Sequence, residues 1–338
     1  MVGQRLLPFL LGGGTPTLLD PLRLKRLLGL IHQSIDSSRV TEFTIEANPN
    51  TFDAARAHVI AEAGINRISF GAQSFIPSEL VTLQRDHDPA SVPPAVALAR
   101  SVGITNLNLD LIFGIPGQTA VTWHSSLSQA LALAPKHLSC YSLIYEPNTA
   151  MTARMKKGEF QPINEDLELD LFNDTYAALR DANFERYEVS NFALRSATRS
   201  YRCQHNLHYW TGPNYLSWGP SASTHILGHR WKNVPSLTRY LDALAAPSPV
   251  LPINEVEHLP SIQRAGELAT LFLRLSDGLD FAHFQSLTGI NPHPPLASIL
   301  KKYDGLDLLQ LTATHLSLTE KAVPVSNTIL ADVLAAFH

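Results

Sequence analysis

The chain has 338 residues, 45% of them apolar, and a formal net charge of −4 at pH 7. This length suits two domains or one barrel with an extension, and the mixed charge argues against a dedicated nucleic-acid binder, which would carry a basic face. No apolar stretch approaches the roughly 20 residues that a membrane-spanning helix needs, so we expect a cytoplasmic protein without a transmembrane segment.

A glycine turn follows the first apolar run. Leu6–Leu11 is a predicted strand, Gly12–Thr17 is the turn, and Asp20 and Pro21 are the expected N-cap and first residue of a helix. Glycines let another molecule approach the backbone closely, and their N–H groups can bind a carboxylate or a phosphate. The turn lacks the pattern of a P-loop or of a dinucleotide fingerprint. By itself it is compatible with an anion site and with an ordinary strand–helix connection.

Strand-like and helical patterns alternate as far as about residue 190. Such alternation, at about 30 residues per unit, predicts a parallel sheet with right-handed crossovers. The predicted strands are Leu6–Leu11, Phe43–Ala47, Arg67–Phe70, Asn106–Phe113, His137–Leu143 and Glu185–Val189. Both a doubly wound sheet and a partial (β/α)6 barrel of TIM-like architecture fit this pattern.

Polar residues at the ends of successive strands favour the barrel. Glu46 lies at the end of strand two, Gln73 follows strand three, and Asp110 lies inside strand four near its C-terminal end. Tyr145 and Glu146 follow strand five. In a barrel these ends meet at one mouth, whereas in an open sheet only the strands at the switch point would carry such residues. Each residue also has a purely structural interpretation: Glu46 could satisfy loop N–H groups, Gln73 could be a surface turn residue, and Asp110 could belong to a hydrogen-bond ladder.

The second half of the chain has a different composition. Residues 191–235 are rich in aromatics, His and Asn with little helical periodicity, and the Pro-rich residues 247–260 resemble a linker. The helical patterns and the alternating segment that follow predict a small α+β, winged-helix-like domain with a packing or lid role. We therefore expect a barrel over residues 1–195, a connecting segment over 196–250 and a C-terminal domain over 251–338.

Seven motifs follow one another along the chain: Gly12–Thr17, Ile45–Pro49, Ile68–Phe75, Gln84–His87, Leu109–Gly117, Tyr187–Phe192 and His205–Trp210. Together they resemble the oxygen-independent coproporphyrinogen oxidase group of radical S-adenosylmethionine proteins. The last two, which include an H-N-x-x-Y-W pattern, are closer to the heme chaperone branch, HemW, than to the oxidase itself. The resemblance covers essentially the whole chain and implies a partial barrel with a C-terminal domain.

The resemblance also implies two ligands. S-adenosylmethionine would lie at the barrel mouth, where acidic groups and one arginine complement its sulfonium, ammonium and carboxylate. Its expected contacts are Gly13, Gly14, Thr15, Glu46, Gln73, Arg85, Asp110 and Ile112. Heme would be bound by His205, because a neutral imidazole suits heme iron, while Tyr209 and Trp210 would offer flat apolar surface. Without the family resemblance, His205 could simply hold a loop by hydrogen bonds. His208 is a competing candidate for the heme contact.

One family feature is missing. Radical S-adenosylmethionine enzymes carry a CxxxCxxC motif that holds a 4Fe–4S cluster, and in this family it precedes the glycine turn. The two cysteines here, Cys140 and Cys203, have no such spacing. The first strand and the cluster loop are therefore expected to be absent. We consider three explanations: the start of the gene was assigned too late, this family member lost its cluster, or the chain is a non-functional fragment. The chain as written should not cleave S-adenosylmethionine.

Three functions follow as expectations. The first is a heme-binding chaperone that delivers heme to a respiratory or other hemoprotein. The second is the oxidative decarboxylation of coproporphyrinogen III, against which the H-N-x-x-Y-W stretch and the absent cysteines both count. The third is a barrel that binds a small ligand without chemistry.

Overall fold

A seven-stranded sheet forms the centre of the first half of the molecule. The computed structural model describes residues 7–337, so Leu6 of the first predicted strand lies outside the described residues. In spatial order the sheet runs β1-β2-β3-β4-β5-β7-β6, and β1 to β5 pair in parallel. The strands are β1 (Leu7–Leu11), β2 (Val40–Ala47), β3 (Arg67–Gln73), β4 (Asn106–Phe113), β5 (His137–Ser142), β6 (Phe184–Arg186) and β7 (Asn191–Leu194).

All the crossover helices that pack on the sheet contribute to one apolar layer. The helices are α1 (Pro21–Ser34), α2 (Ala54–Glu62), α3 (Pro77–Thr82), α4 (Val92–Ser101), α5 (Ala120–Ala132), α6 (Ala150–Lys156) and α7 (Glu165–Asp181). Side chains of α1, α2, α4, α5 and α7 share one core with the sheet. A doubly wound fold would cover both faces of the sheet, whereas a barrel keeps its helices outside. The parallel strands β1 to β5, with their helices in one layer, agree with the partial (β/α)6 barrel predicted from the alternation and the strand ends.

Alternation along the strands separates an outer face from an inner face. In β4 the side chains of Leu107, Leu109 and Leu111 are fully buried in the layer beneath the helices. Asn108 and Asp110 lie on the other face, where they hydrogen-bond to each other. Successive side chains of a strand point to opposite faces, so this polar set belongs to what we call the inner face of the sheet.

The sixth predicted strand has a different partner from the one expected. Glu185–Val189 was predicted to continue the parallel sheet, but the strand here is β6, and it forms an antiparallel hairpin with β7. Strand β7 is inserted between β5 and β6 and pairs antiparallel with β5. An antiparallel hairpin needs only a short connection, whereas a parallel strand would need a crossover. Strand β6 ends at Arg186 and β7 begins at Asn191, so the connection is too short for a crossover.

A second compact unit begins at Asn206, since the chain divides between His205 and Asn206. Helix α8 (Gln204–Trp210) spans that point of the sequence. The remaining elements are β8 (Ser223–Ile226), β9 (His229–Asn233), α9 (Leu237–Ala245), β10 (Ile253–His258), α10 (Ser261–Leu273), β11 (Leu279–Asp280), α11 (Phe281–Thr288), α12 (His293–Lys302), β12 (Leu309–Leu311), β13 (His315–Leu318) and α13 (Ser326–Ala335).

The second unit contains the small C-terminal domain expected from the sequence. Helices α10 to α13 and the antiparallel sheet β11-β13-β12 enclose their own apolar core. The expected linker at residues 247–260 is wrong, because β10 lies in this stretch and pairs with β9 in a second sheet, β10-β9-β8. The three-part division at residues 195 and 250 stays a prediction.

Truncating a side chain in the apolar layer beneath the helices should destabilise the barrel more than truncating one on its surface. Leu109 is fully buried between sheet and helices, whereas Leu22 on α1 is 78% exposed. We expect Leu109→Ala to lower the free energy of unfolding by about 2–5 kcal/mol through lost burial and a residual cavity. Leu22→Ala should change it by less than about 0.5 kcal/mol. Chemical denaturation measures both, and equal losses would contradict the assigned core.

Candidate functional site

The glycine turn sits against a carboxylate at the carboxyl end of β2. The N–H of Gly13 donates to Oε2 of Glu46 over 3.2 Å. A Cβ at Gly12 would stand 2.6 Å from the Glu46 carboxyl carbon, so a side chain there would displace Glu46. Gly13 and Gly14 have φ of +81° and +151° and open space beyond their Cα atoms. The turn therefore requires glycine and leaves its backbone accessible.

A buried threonine fixes this turn on the neighbouring loop. Thr17 Oγ1 lies 2.6 Å from Thr51 Oγ1 and accepts from the N–H of Asn48 over 3.4 Å. The carbonyl of Thr15 accepts from the N–H of Leu18 and starts the short 3-10 turn before α1. Strands β1 and β2 consequently present their carboxyl ends as one surface, with Thr15 half-buried at its border.

A bulge at the end of β3 redirects Gln73 to the same region. Gln73 has a positive φ of 62°, and the β3–β4 register shifts between Gly71 and Gln73. A Cβ at Gly71 would lie 2.8 Å from Nε2 of Gln73, so the amide lies directly over the Gly71 backbone. Gly71 pairs with Asp110 across the strands. Left-handed conformations of non-glycine residues concentrate at functional sites, and here one folds the Gln73 amide back over Gly71, the strand neighbour of Asp110.

Arg85 lies in a loop that folds over these strand ends. The side chain of Asn50 donates to the carbonyl of Asp86 over 3.2 Å, and the ring of buried His87 bonds to the carbonyl of Ala72 at 2.9 Å. These contacts place the exposed Arg85 beside the ends of β2 and β3. Ile112 is half-buried on β4, two residues beyond Asp110 and so on the same face.

Asp110 is held by a polar cluster on the inner face. Its two carboxylate oxygens accept from Ser69 Oγ at 2.9 Å and from Asn108 Nδ2 at 2.8 Å. Asn108 Nδ2 also lies 2.7 Å from Ser69 Oγ and 3.1 Å from Ser139 Oγ. The ladder that the sequence left as an alternative for Asp110 therefore exists. It engages both carboxylate oxygens, and the ligand role of Asp110 stays a prediction.

The same cluster extends to His137 and Tyr187. Because the Asn108 amide nitrogen donates, its carbonyl oxygen accepts, and His137 Nδ1 donates to it over 2.6 Å. Burial holds the pKa of His137 well below its usual value, so the ring is neutral and Nε2 is an acceptor. Tyr187 must then donate its hydroxyl proton to Nε2 over 2.9 Å. The chain of contacts leaves a single tautomer for His137.

Two carboxylates at the mouth are poorly compensated. Burial raises the pKa of Glu46, and the nearby Asp110 raises it further, although the Gly13 N–H opposes this. Burial also raises the pKa of Asp110, against hydrogen bonds from Ser69, Ser139 and Asn108 and the charge of Arg67. Ionisation of both carboxyls is thus energetically unfavourable in the free protein compared with ionisation in water. A cation placed at the mouth would relieve this cost.

His205 lies at the opposite end of the strands from these groups. Its backbone N–H donates to Glu42 Oε1 over 3.1 Å, and Glu42 precedes Glu46 by four residues on β2. Four residues of a strand span roughly 13 Å. The structure therefore brings Gly13, Glu46, Gln73 and Asp110 together and places His205 near the amino ends of the strands, with its side chain half-buried.

The aromatic neighbours of His205 are engaged within the second unit. Trp210 packs against the C-terminal core, and the guanidinium of Arg274 lies 5.6 Å from its ring centre. Tyr209 contacts the ring of Tyr215 with centres 4.5 Å apart. His208 Nε2 bonds to the carbonyl of Asn214 at 3.0 Å. His208 is thus used to hold the loop after α8, which weakens it as the competing heme contact.

The two cysteines cannot share a metal. Cys140 belongs to the apolar layer beneath the helices, whereas Cys203 lies beside Glu42 at the amino ends of the strands. Burial raises the pKa of the Cys140 thiol. Within residues 7–337, no group of three or more His, Cys, Asp or Glu side chains could hold a metal ion. An iron–sulfur cluster does not fit the described residues. No helix in that part of the chain is long and apolar enough to cross a membrane.

Comparisons with known proteins agree with this architecture. The Radical SAM superfamily model matches residues 5–129, and the HemN C-terminal domain model matches residues 259–325. Heme chaperone HemW of Bacillus subtilis (strain 168) is 31% identical over 325 residues, which cover 96% of this chain and 84% of that protein. The chain belongs to the HemW family of radical SAM proteins. The family implies S-adenosylmethionine and an iron–sulfur cluster as its cofactors.

Further members and a solved structure support the same assignment. Heme chaperone HemW of Synechocystis sp. is 32% identical over 303 residues, covering 88% of this chain and 71% of that protein. The solved structure of coproporphyrinogen III oxidase (HemN) from Escherichia coli, a radical SAM enzyme, has a TM-score of 0.80 at 21% identity. It covers 96% of this chain and 76% of that one. At this identity the likeness establishes the fold alone.

The sequence analysis did not identify the buried polar residues that hydrogen-bond to the candidate site residues and to the start of α8. Glu42, Arg67, Ser69, His137 and Tyr187 all lie on or beside the inner face. The period-two pattern of β2, in which Glu42 and Glu46 share a face, could have identified Glu42. The contact between His137 and Tyr187 could not be found in this way, because the two residues are 50 positions apart.

Removing the Tyr187 hydroxyl should destabilise the barrel. In Tyr187→Phe, His137 Nε2 loses its donor, and the backbone N–H of Cys203 loses the acceptor that it contacts at 3.3 Å. Unpaired buried polar groups cost about 1–3 kcal/mol each, so we expect a loss of that order in the free energy of unfolding. Tyr201→Phe, which keeps the ring facing Lys136 and Arg199, is the matched control. Equal melting temperatures for the two variants would contradict the network.

Proposed function

We propose that this protein is a heme chaperone that binds heme through His205 and passes it to a hemoprotein. Family membership supports the proposal, since relatives named heme chaperone align with nearly the whole chain. The observation that carries it is the position of His205: the H-N-x-x-Y-W motif forms a helix whose first turn is bonded to the barrel through Glu42. An imidazole whose backbone is anchored in this way is a suitable axial ligand for heme iron.

We further propose that the barrel mouth binds S-adenosylmethionine. The backbone of Gly13, Gly14 and Thr15 would receive the methionyl end, and Glu46 would bind its ammonium group or the ribose region. Gln73, Arg85 and Asp110 would contact the ribose and the carboxylate, with Ile112 beside the adenine. The raised carboxyl pKa values of Glu46 and Asp110 fit a cationic ligand. The proposal for the mouth covers the binding of S-adenosylmethionine alone.

The two proposed ligands occupy different ends of the barrel. At the mouth, Gly12 keeps space for the Glu46 carboxylate and the bulge at Gln73 adds an amide donor. At the amino ends of the strands, α8 carries His205. In this arrangement the S-adenosylmethionine site can be altered without touching the heme ligand. The two binding reactions can therefore be tested one at a time.

Glu46→Gln should separate ligand binding from stability. We expect roughly tenfold weaker S-adenosylmethionine binding, about 1.4 kcal/mol, because a charge-assisted contact becomes neutral. The ligand-free variant should be more stable than wild type near neutral pH, since it carries no buried charge repelled by Asp110. Isothermal titration and thermal melts measure the two effects. Glu62→Gln on the surface pair with Lys25 is the control and should change neither.

The pH dependence provides a second check on Glu46. A carboxyl whose pKa is raised in the folded state favours folding when it is protonated. This contribution is complete below the pKa of the unfolded state, for which 4.5 is the ordinary value of a glutamate carboxyl, and is lost as pH rises through the pKa of the folded state. The stability advantage of Glu46→Gln over wild type should therefore grow as pH rises across that window. A constant difference from pH 4 to pH 8 would contradict the burial of Glu46.

Heme titration tests the chaperone proposal. We expect His205→Ala to weaken heme binding at least tenfold and to change the Soret band, because an axial imidazole is lost. His208→Ala, on the same helix, should keep the wild-type Soret band and affinity. Equal titrations of wild type and His205→Ala would remove His205 as the ligand. Conversion of coproporphyrinogen III to protoporphyrinogen by this chain would favour the oxidase alternative.

A further inference from the structure

The helix that carries His205 starts on groups supplied by the barrel. The backbone N–H of Gln204 donates to Oε2 of Glu42 over 3.1 Å, and that of His205 donates to Oε1 over 3.1 Å. The N–H of Cys203 donates to the hydroxyl of Tyr187 over 3.3 Å. The first N–H groups of a helix have no partner within it and normally bond to a local N-cap side chain. Here their acceptors lie 16 to 163 positions away in sequence.

The Glu42 carboxylate is buried, and both of its oxygens accept hydrogen bonds. Only 6% of the residue is exposed, and both oxygens bond to α8, with the Cys203 thiol 3.5 Å from Oε1 as an additional donor. Arg67, 3% exposed, is close enough for Glu42 to raise the pKa of its guanidinium, as Cys203 also does, against the effect of burial. A carboxylate at the positive end of a helix, close to a buried cation, is electrostatically favoured. No rotation of Glu42 could keep both bonds while the helix moved.

We propose that Glu42 is a positioning residue for heme binding: it fixes the first turn of α8 and thereby the direction of the His205 imidazole. His205 is itself one of the two residues whose N–H groups Glu42 accepts, so its backbone cannot tilt without breaking a charge-assisted bond. Partners that orient a metal ligand typically contribute 10- to 100-fold to metal affinity. This inference rests on the proposed role of His205, and it assigns Glu42 no contact with heme.

Heme titration of Glu42→Gln and Glu42→Ala tests this inference. Glu42→Gln keeps one oxygen acceptor and should weaken heme binding roughly tenfold, whereas Glu42→Ala removes both acceptors and should weaken it more. In both variants the Soret band should move toward that of His205→Ala. The matched control is Glu79→Gln, another buried carboxyl of the barrel, whose Oε2 bonds to Ser74 and Gln118. It should keep the wild-type Soret band even where its melting temperature falls.

A second readout separates positioning from general damage. Glu42 lies roughly 13 Å along β2 from Glu46, so Glu42→Gln should keep the wild-type affinity for S-adenosylmethionine. If Glu42→Ala does not fold, Glu42→Gln decides. If neither folds, Glu42→Asp, which keeps the charge but is one methylene shorter and reaches the two N–H groups less well, should still weaken heme binding.

The possible failures are distinguishable. Wild-type heme affinity and Soret band in folded Glu42 variants, with binding lost in His205→Ala, would overturn the positioning role alone. The same results in Glu42→Asp would overturn it if that variant has to decide. Wild-type binding by His205→Ala would instead overturn the proposed function.

Discussion

The structure depends on the pairing of polar groups on the inner face of its sheet. The outer face obtains its stability from apolar side chains packed under the helices. The inner face carries amides, hydroxyls, an imidazole and carboxylates, each of which must find a partner or lose free energy. Asn108 is central, because its amide group bonds to Asp110, Ser69, Ser139 and His137. The amide nitrogen of Asn108 donates and its carbonyl oxygen accepts, so this side chain determines which neighbouring groups act as acceptors and which as donors.

The hydrogen bonds around Asn108 connect the two ends of the barrel. From Asn108 the contacts lead one way to Asp110 at the mouth and the other way through His137 and Tyr187 to the start of α8. An amide cannot pass a proton along such a chain, so the network orients its members and is unsuited to proton transfer. Strand β2 makes a second connection, with Glu46 at one end and Glu42 at the other. Both candidate sites are thus built on the same rigid strands.

Much of the first unit could be predicted from the sequence, because local pattern and tertiary environment agree there. Leu107, Leu109 and Leu111 alternate with polar residues, and the structure buries the leucines as expected. Asp20 caps α1 through the N–H of Arg23, as its position before Pro21 indicates. Strand β10 was missed because its six residues are exposed and flanked by prolines, so it shows no pattern of half-burial. Helix α8 was missed because its start depends on Glu42, more than 160 residues away.

The candidate site was predictable in composition but not in arrangement. Carboxylates and glycines at strand ends are visible in the sequence, whereas the raised pKa values of Glu46 and Asp110 arise from burial and mutual repulsion, which only the fold creates. This combination has a physical consequence. A protein that keeps two desolvated carboxylates close together gives up stability when its ligand is absent. The same carboxylates would favour a cation more strongly than solvated ones would, so the electrostatic cost in the free barrel would also be the source of selectivity in the proposed S-adenosylmethionine site.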